Sequence, residues 1–371
     1  MLHLAMRNLF QNRVRFIISA GGAALAFLLI LTLDGIFVSL ENHITSYMDN
    51  SGADIFISQT GVRNMHMTSS TLPAAVVDQV KAVPGVQTVM AILFATNVVT
   101  LGQDQLASYV IGLPPDATIG LPWQLAAGTA IPANGQAVVD SGLARKQGLK
   151  IGDKIKTLGT DFTIVGLSDG TSNFINAITF ISMADFARLS GNNTTVSFVL
   201  VKVRSGTAPS DVISEIAKAV PNVTVQTREE FADEERKLVN DMSSDFVAIM
   251  NFIGFLIGLA VIALTTYTAT LSRRREYGVL KALGTRSRQL YQVVLAQGAV
   301  SVVAGLTIAL ILTLLLSVIV PIFVPNLTIA ISPLSLLQLA GISFVIAGIS
   351  AVIPIWQIIG LEPARVVREG K

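Results

Sequence analysis

Four long apolar stretches dominate the hydrophobic pattern, and a large segment of mixed pattern separates the first two. The stretches are residues 16–40, 246–271, 290–320 and 334–359. Each is long enough for the roughly 20 residues that a helix needs to cross a bilayer, so the pattern predicts four transmembrane helices. The first stretch is too long for a cleaved signal and lacks a small-residue cleavage site followed by polar sequence. We therefore interpret it as a retained anchor.

The segment between the first two stretches, residues 41–245, has the pattern of an α+β domain. Its length of about 200 residues is sufficient for an independent core. Clustered β-branched residues predict strands at 53–59, 86–101, 105–112, 137–140, 161–165, 177–182, 196–203 and 223–226. Amphipathic runs predict helices at 73–83, 141–147, 183–189 and 209–220. The predicted fold class is a membrane α-helical protein with four transmembrane helices and a large α+β extracytoplasmic domain inserted between helices 1 and 2.

Two segments at the ends of this domain have the pattern of stalk helices. Residues 227–245 contain no Pro or Gly and lead directly into the second apolar stretch, which predicts one helix that continues out of the membrane. Residues 41–48 could extend the first helix in the same way. Because a rigid helix transmits motion and a flexible linker does not, we interpret both segments as mechanical couplers.

Composition places the chain between soluble enzymes and purely membranous proteins. Of its 371 residues, 51% are hydrophobic and 13% are charged, and the mean hydropathy is +0.63. The absence of cysteine excludes disulfides, thiolate catalysis and the commonest structural zinc sites.

The distribution of charge predicts the orientation of the helices. Lys and Arg are concentrated before the first apolar stretch, between the second and third, and after the fourth, whereas residues 321–333 carry no charge. Such an excess marks the cytoplasmic side. We therefore predict a cytoplasmic N-terminal amphipathic helix 1–15, a cytoplasmic segment 272–289 and a cytoplasmic tail 360–371. Residues 41–245, with 14 Lys or Arg and 20 Asp or Glu, are then outside, and the protein is multi-pass in the cell membrane with both termini inside.

The cytoplasmic segment has the features of a docking helix. Residues 273–284 read Arg-Arg-Arg-Glu-Tyr-Gly-Val-Leu-Lys-Ala-Leu-Gly. An arginine triplet alone is also typical of a stop-transfer signal that binds lipid phosphates. The residues that follow it alternate small and apolar positions, which favours a short helix beneath the membrane. We predict that another chain docks here, with Glu276 buried among cations, through Arg273, Arg274, Arg275, Glu276, Tyr277, Gly278, Lys281, Ala282 and Gly284.

Four segments carry a resemblance that spans the chain. Residues 4–15, residues 142–155 with 162–166, residues 275–284 and the final Leu-Glu-Pro-Ala-Arg at 361–365 are similar to segments of the MacB/FtsX-like permeases of ABC transporters, the type VII or mechanotransmission family. The domain between the first two helices resembles in size that of the shorter exporters, such as the heme- and glycolipid-exporter permeases.

The resemblance implies a division of labour between chains. Two permease copies would form a homodimer, and each would sit on an ABC ATPase subunit that binds ATP and Mg²⁺. This chain has no Gly-x-x-x-x-Gly-Lys-Ser/Thr loop, so no cofactor is expected on it, and it is expected not to be an enzyme. ATP binding would tilt the helices, and the outer domain would expel a hydrophobic or amphipathic substrate such as a lipid, heme, peptide or drug. A membrane-fusion protein or another extracytoplasmic partner is a further expectation.

Two alternative functions remain open. An FtsX-like mechanotransmitter would control an outside partner, such as a cell-wall hydrolase, without transport. A lipoprotein-releasing permease would extract lipidated proteins. Export and lipoprotein release predict a hydrophobic groove, whereas mechanotransmission predicts a polar interaction face.

Several other residues are candidates for binding. Asp34 is an acid near the outer end of the first span, where it would take part in substrate or proton binding or would simply be solvated. Met48, Met242 and Met250 would line a cavity for an apolar substrate or pack in the core. Three loop residues offer thioether and imidazole ligands for copper or heme iron, although a loop without a metal is the favoured interpretation: Met65, His66 and Met67.

The remaining polar residues and motifs argue against catalysis and nucleic-acid binding. The three histidines are far apart in sequence, and neither Gly-x-Ser-x-Gly nor His-Glu-x-x-His occurs. The acidic run at 229–235 is typical of a solvated helix face. Because the large domain is acidic, it is unsuited to nucleic acid.

Overall fold

The structure is a computed structural model that describes residues 13–101, 104–172, 177–324 and 327–359. Most of the predicted N-terminal helix and the whole predicted tail, with its 361–365 motif, lie outside the described residues. The helices are α1 (Arg13–Ile44), α2 (Ser46–Asn50), α3 (Ala75–Lys81), α4 (Ser141–Lys146), α5 (Met183–Ser190), α6 (Pro209–Ala219), α7 (Arg228–Ser272), α8 (Arg274–Ala282), α9 (Ser287–Phe323), α10 (Pro333–Ser350) and α11 (Val352–Ile359). The strands are β1 (Ile55–Gln59), β2 (Leu72–Pro73), β3 (Val86–Leu101), β4 (Asp104–Leu113), β5 (Leu125–Gly128), β6 (Gln136–Asp140), β7 (Lys154–Thr157), β8 (Thr160–Ser168), β9 (Ala177–Ser182), β10 (Thr195–Val196), β11 (Phe198–Val203) and β12 (Val223–Thr227).

Within the described residues, four helical stretches are long and apolar enough to cross a membrane. They are Phe16–Ile44, Arg228–Ser272, Ser287–Phe323 and Pro333–Trp356. Each contains most of one predicted span, because a run of more than about 20 apolar residues in lipid satisfies its backbone polar groups only as a helix. The helical unit formed by these stretches comprises residues 13–39, 243–324 and 328–359, apart from the residues that are not described.

Small residues allow the helices of this unit to pack closely. A Cβ added at Gly305 of α9 would lie 2.7 Å from Cβ of Ala23 and 3.1 Å from the backbone oxygen of Ala20 in α1. Gly22 of α1 has a similarly close approach to Val261 of α7. Such contacts are typical of membrane helix interfaces, where dispersion between closely spaced backbones replaces the hydrophobic effect.

The inserted domain, residues 40–242, is built on a mixed sheet whose strand order is β12-β1-β11-β3-β4-β9-β6-β8-β5. The pairs β4–β9 and β6–β8 are parallel and the other pairs on this path are antiparallel, while β7 joins β3 and β8. Hydrophobic clusters cover the two halves of the sheet, with α3 and α6 packed on one half and α4 and α5 on the other. The α+β prediction is thus confirmed.

Two strands of this sheet were absent from the sequence-based prediction. β5 has the sequence Leu-Ala-Ala-Gly, which lacks β-branched residues, and its four residues are exposed. β7 reads Lys-Ile-Lys-Thr and alternates exposed and buried positions over only four residues. Both strands form because they pair with the longer β8, a contact that the local pattern does not reveal.

Candidate functional site

The short helix α8 lies directly after the longest helix and ends in a defined C-terminal cap. Gly284 has φ +91°, a left-handed conformation that favours glycine. The Thr285 N–H donates to the Leu280 carbonyl at 3.0 Å, and the Gly284 N–H donates to the Lys281 carbonyl at 3.1 Å. This pair of bonds is a Schellman motif, which ends the helix and turns the chain toward α9. Gly284 therefore contributes to this segment through backbone geometry.

One face of α8 is buried against the helical unit. The Tyr277 side chain is fully buried in a cluster with Leu290 and Val294 of α9 and with Ala351, which joins α10 to α11. Gly278 is buried as well. Tyr277 and Gly278 thus lie on the inner face of α8, where they hold the helix in place and are not accessible to another chain.

The Tyr277 hydroxyl is enclosed without a satisfactory partner. Burial raises the pKa of the Tyr277 phenol above its ordinary value, and the nearby Gln297 side chain and the Arg273 charge oppose part of this rise. Among the described residues, neither the Tyr277 hydroxyl nor the Gln297 Oε1 atom has a hydrogen bond of acceptable geometry. Since an unpaired buried hydroxyl is unfavourable, the packing of the ring, rather than its polar end, stabilises this position.

Outside its two buried positions, α8 has an exposed surface that combines positive charge with apolar side chains. Arg274, Arg275 and Ala282 are exposed, and Leu283 is 78% exposed. A charged, partly apolar and exposed helix face of this kind is suited to a groove on another protein. The remaining predicted residue of this segment, Lys281, is half-buried.

The acid of this segment is not enclosed in the single chain. Glu276 was expected to be buried among cations, but its side chain is 64% exposed and its Oε2 lies 3.1 Å from Nη1 of Arg273. Arg273 and Glu276 form this ion pair because residues three apart are neighbours on one face of a helix. Glu276 thus remains accessible from outside the chain.

Asp34 lies beside a tight contact between α1 and the loop before α10. The Ala330 N–H donates to the Gly35 carbonyl at 2.9 Å, and a Cβ at Gly35 would lie 2.6 Å from Cγ2 of Ile329. The Asp34 Oδ2 atom is buried and has no hydrogen-bond partner among the described residues. This environment differs from that of a freely solvated carboxylate.

The three candidate methionines occupy different environments. Met48 is fully buried in the core of the inserted domain, where it packs among apolar residues. Met242 is 71% exposed, and Met250 is half-buried.

The candidate metal ligands Met65, His66 and Met67 differ in exposure. Met65 is buried, whereas Met67 is 63% exposed. The His66 Nδ1 atom lies 2.6 Å from Oε2 of Glu235 in α7, and the Met65 N–H donates to the other carboxylate oxygen. This loop is therefore a structural element that is bound to α7.

Glu235 is a functional candidate that the sequence analysis missed. It was included in a solvated acidic face, but its side chain is fully buried, because the loop at 64–67 covers it. The nearby Phe231 ring stacks on Phe56 of β1 at 4.9 Å. The first two turns of α7 are thus held to the inserted domain by the contact of Glu235 with His66 and Met65 and by an aromatic stack.

A narrow pocket lies next to this contact inside the inserted domain. It is lined by Tyr47, His66, Phe94, Tyr109 and Trp123, among others. The Tyr47 hydroxyl donates to the Gly120 carbonyl at 3.1 Å, and burial raises the pKa of this phenol far above its ordinary value. The lining combines four aromatic rings and two histidines with aliphatic and small polar residues.

Comparison with known proteins identifies the relatives of both parts of the chain. The family model of the MacB-like periplasmic core domain matches residues 16–219, and that of the FtsX-like permease C-terminal region matches residues 248–363. An ABC transporter permease of Methanocaldococcus jannaschii is 24% identical over 84% of this chain and 82% of its own length. A permease of Mycobacterium tuberculosis is 21% identical over 98% of each chain.

Two solved structures are similar to the inserted domain. The periplasmic region of MacB from Actinobacillus actinomycetemcomitans has 10% identity and a TM-score of 0.40, over 52% of this chain and 96% of that one. The extracellular domain of the transporter YknZ from Gram-positive bacteria has 11% identity and a TM-score of 0.38, over 47% of this chain and 99% of that one. Together the two family models account for most of the sequence, and the chain therefore belongs to the MacB/FtsX-like permeases of ABC transporters.

Proposed function

We propose that this chain is the membrane subunit of an ATP-driven exporter that transmits the motion of a separate ATPase to an extracytoplasmic domain. The observation that carries the proposal is the continuity of α7, which runs for 45 residues from Arg228 to Ser272. Its first turns are held in the inserted domain by Glu235 and Phe231. Arg273 alone separates its last residue from α8.

The ATPase would act on the exposed face of α8. An ATPase groove that carries acidic and apolar residues would complement Arg274, Arg275 and Leu283, which are all exposed. Tyr277 would pass the displacement of α8 to α9, because its buried ring cannot move without its neighbours. ATP and Mg²⁺ would be bound by the ATPase. In this arrangement both termini and α8 are cytoplasmic, as the positive charge of segment 272–289 favours.

A homodimer of the permease is part of the same proposal. Many apolar side chains of the helical unit are exposed in the single chain, including Phe252, Leu314 and Phe344. Membrane lipid or a second copy would cover them. The substrate would be a hydrophobic or amphipathic compound, such as a lipid, heme, peptide or drug, taken up at the paired outer faces of the helices or domains.

A second candidate function is mechanical control of an extracytoplasmic partner without transport. The narrowness of the pocket around Tyr47 and Tyr109 favours it, because within the described inserted domain this pocket is not a chamber of ligand size. The same path through α8 and α7 would serve both functions. A lipoprotein-releasing function would require a lipid-binding groove between copies.

The docking of the ATPase can be tested by charge reversal on α8. The chain with Arg274→Glu and Arg275→Glu would be reconstituted in proteoliposomes with its ATPase. We expect at least a tenfold loss of permease-stimulated ATP hydrolysis, because two exposed cations would become repulsive. Arg204→Glu, an exposed position of the inserted domain, is the matched control. Full stimulation in the double variant would disprove docking at this face.

A further inference from the structure

The strand β5 is an unprotected edge of the large sheet. It stands at the end of the strand order and, among the described residues, pairs only with β8. All four of its residues are exposed, and residues 124–130 contain neither charge nor proline. A bulge interrupts its ladder with β8 between Leu125 and Ala127. Soluble domains usually guard such an edge with charges or proline, because its free backbone groups can pair with another chain.

An open groove runs beside this edge, and its lining is apolar with two cations. Ala126, Leu149 and Ile151 form part of the apolar lining, and Arg145 and Lys150 also border the groove. Ile151 is 46% exposed. The groove thus offers apolar contacts, backbone hydrogen-bonding groups and positive charge at one place.

The charge of this region is opposite to that of the rest of the inserted domain. Residues 145–156 contain five cations, Arg145, Lys146, Lys150, Lys154 and Lys156, and one acid, Asp153. Within the described part of the chain, none of the five cations forms an ion pair. By contrast, the preceding residues 82–144 contain no Lys or Arg. A local positive patch on an acidic domain selects an acidic partner.

We propose that this β5 groove binds an extended protein segment of alternating acidic and apolar residues, which adds to the sheet as a further strand. Backbone hydrogen bonds to β5 would supply affinity, the apolar side chains would contact Leu149 and Ile151, and the acidic ones would pair with Arg145 and Lys150. An edge strand is needed only for a polypeptide, so a protein partner accounts for the groove better than a lipid surface. The inference concerns a partner of the inserted domain and goes beyond ATPase coupling.

The test uses the full chain in nanodiscs and a defined peptide. A fluorescein-labelled peptide of alternating Glu and Val, nine residues long, would be titrated by fluorescence anisotropy. We expect saturable binding with a Kd below about 1 mM. The double variant Arg145→Glu, Lys150→Glu should bind the peptide about tenfold more weakly. Lys81→Glu, an exposed position on α3, is the matched control. Unchanged thermal unfolding of each variant would show that the domain remains folded.

Three comparisons give the experiment its discriminating power. A peptide N-methylated at alternate residues should not bind, since it cannot complete the strand ladder; equal binding would show a purely electrostatic contact and overturn strand addition. Absence of binding to the unmodified peptide would overturn the proposal. So would self-association of the inserted domain that the double variant abolishes, which would assign the groove to a second copy. Preferential binding to vesicles of phosphatidylglycerol, lost in the same variant, would assign it to lipid.

Discussion

The Oε2 atom of Glu235 lies 2.6 Å from Nδ1 of His66, and both side chains are almost completely buried. The His66 ring also lies 4.3 Å from the Tyr109 ring, centroid to centroid. Residues so far apart in sequence meet because one face of the first turns of α7 packs against the inserted domain, with Phe231 and Glu235 buried. These contacts fix the first turns of α7 to the inserted domain.

Replacement of Glu235 should loosen the start of α7. In Glu235→Ala the Met65 N–H and the His66 ring lose their partner, and we expect the inserted domain to be destabilised by about 3 kcal/mol, because buried polar groups are left unpaired. Thermal unfolding of the detergent-solubilised chain would measure the change.

The neighbouring acid supplies the control for this prediction. Glu234 is partly exposed and pairs with Lys237 at 3.0 Å, so Glu234→Ala should change stability by less than about 1 kcal/mol. Equal effects of the two substitutions would contradict a special role for Glu235.

The contact also shows where sequence reasoning succeeds and fails. The four spans follow from apolar length alone, because lipid leaves a long apolar segment few alternatives to a helix. Helical spacing places Glu235 on the same face as Phe231 and Val239, which are both buried, but its partners lie in a loop 170 residues away. Long-range contact of this kind leaves no trace in local periodicity, and the same holds for β5, which is recruited by β8.

Residues 273–284 give a second example of what the local sequence predicts and what it does not. Their helix and their basic, partly apolar character are readable from the sequence, but which side faces outward is not. Tyr277 and Gly278 turn inward because Leu290, Val294 and Ala351 form a socket for the ring. Gly284 is needed for its positive φ rather than for a contact.

The packing of Tyr277 yields a prediction about coupling. Tyr277→Ala should leave a cavity that costs about 3 kcal/mol locally and should uncouple ATP hydrolysis from the permease. Tyr277→Phe keeps the ring and removes a hydroxyl that has no hydrogen-bond partner among the described residues, so it should preserve stimulation. ATPase assays in proteoliposomes would compare the two variants. Loss of stimulation in Tyr277→Phe would show that the hydroxyl, and not the ring, matters.

The orientation of the chain can be measured with single introduced cysteines, since the native sequence contains no cysteine. Lys81→Cys in the inserted domain and Leu283→Cys after α8 are both at exposed positions. A membrane-impermeant maleimide should label Lys81→Cys in intact cells and Leu283→Cys only after permeabilisation. The reverse pattern would invert the proposed topology and remove the basis for ATPase docking at α8.

The start of α5 should confer a defined pH dependence on the inserted domain. Burial favours a higher pKa for Asp185, but hydrogen bonds from the Gly135 N–H at 2.6 Å, Arg188 at 2.7 Å and Ser182 at 2.8 Å outweigh it and lower the pKa. A lowered folded-state pKa contributes stability above the unfolded value of about 4, which is lost as the pH falls through the folded value.

Acid titration of unfolding would check this sign. Between pH 7 and about pH 3, the wild type should lose more stability than Asp185→Asn, which has no charge to protonate. The same substitution at Asp211, an exposed residue of α6, should leave the wild-type slope unchanged. A parallel decline in the wild type and Asp185→Asn would mean that other carboxylates dominate acid unfolding.

The stiffness of α7 is the property on which mechanical transmission depends. Ser243 and Ser244 lie within this unbroken helix, at the first residues assigned to the helical unit after the inserted domain. Replacing both by glycine should weaken the helix there by about 2 kcal/mol relative to replacing both by alanine. We expect the glycine variant to retain ATPase stimulation, because α8 is untouched, but to lose export or partner activation. The alanine variant should retain both, since alanine preserves the helix. Spin labels placed on either side of the pair would report the loss of rigidity directly, as a broadened distance distribution. If the glycine variant shows a broadened distance distribution and still exports substrate or activates the partner normally, α7 is not the transmitting element.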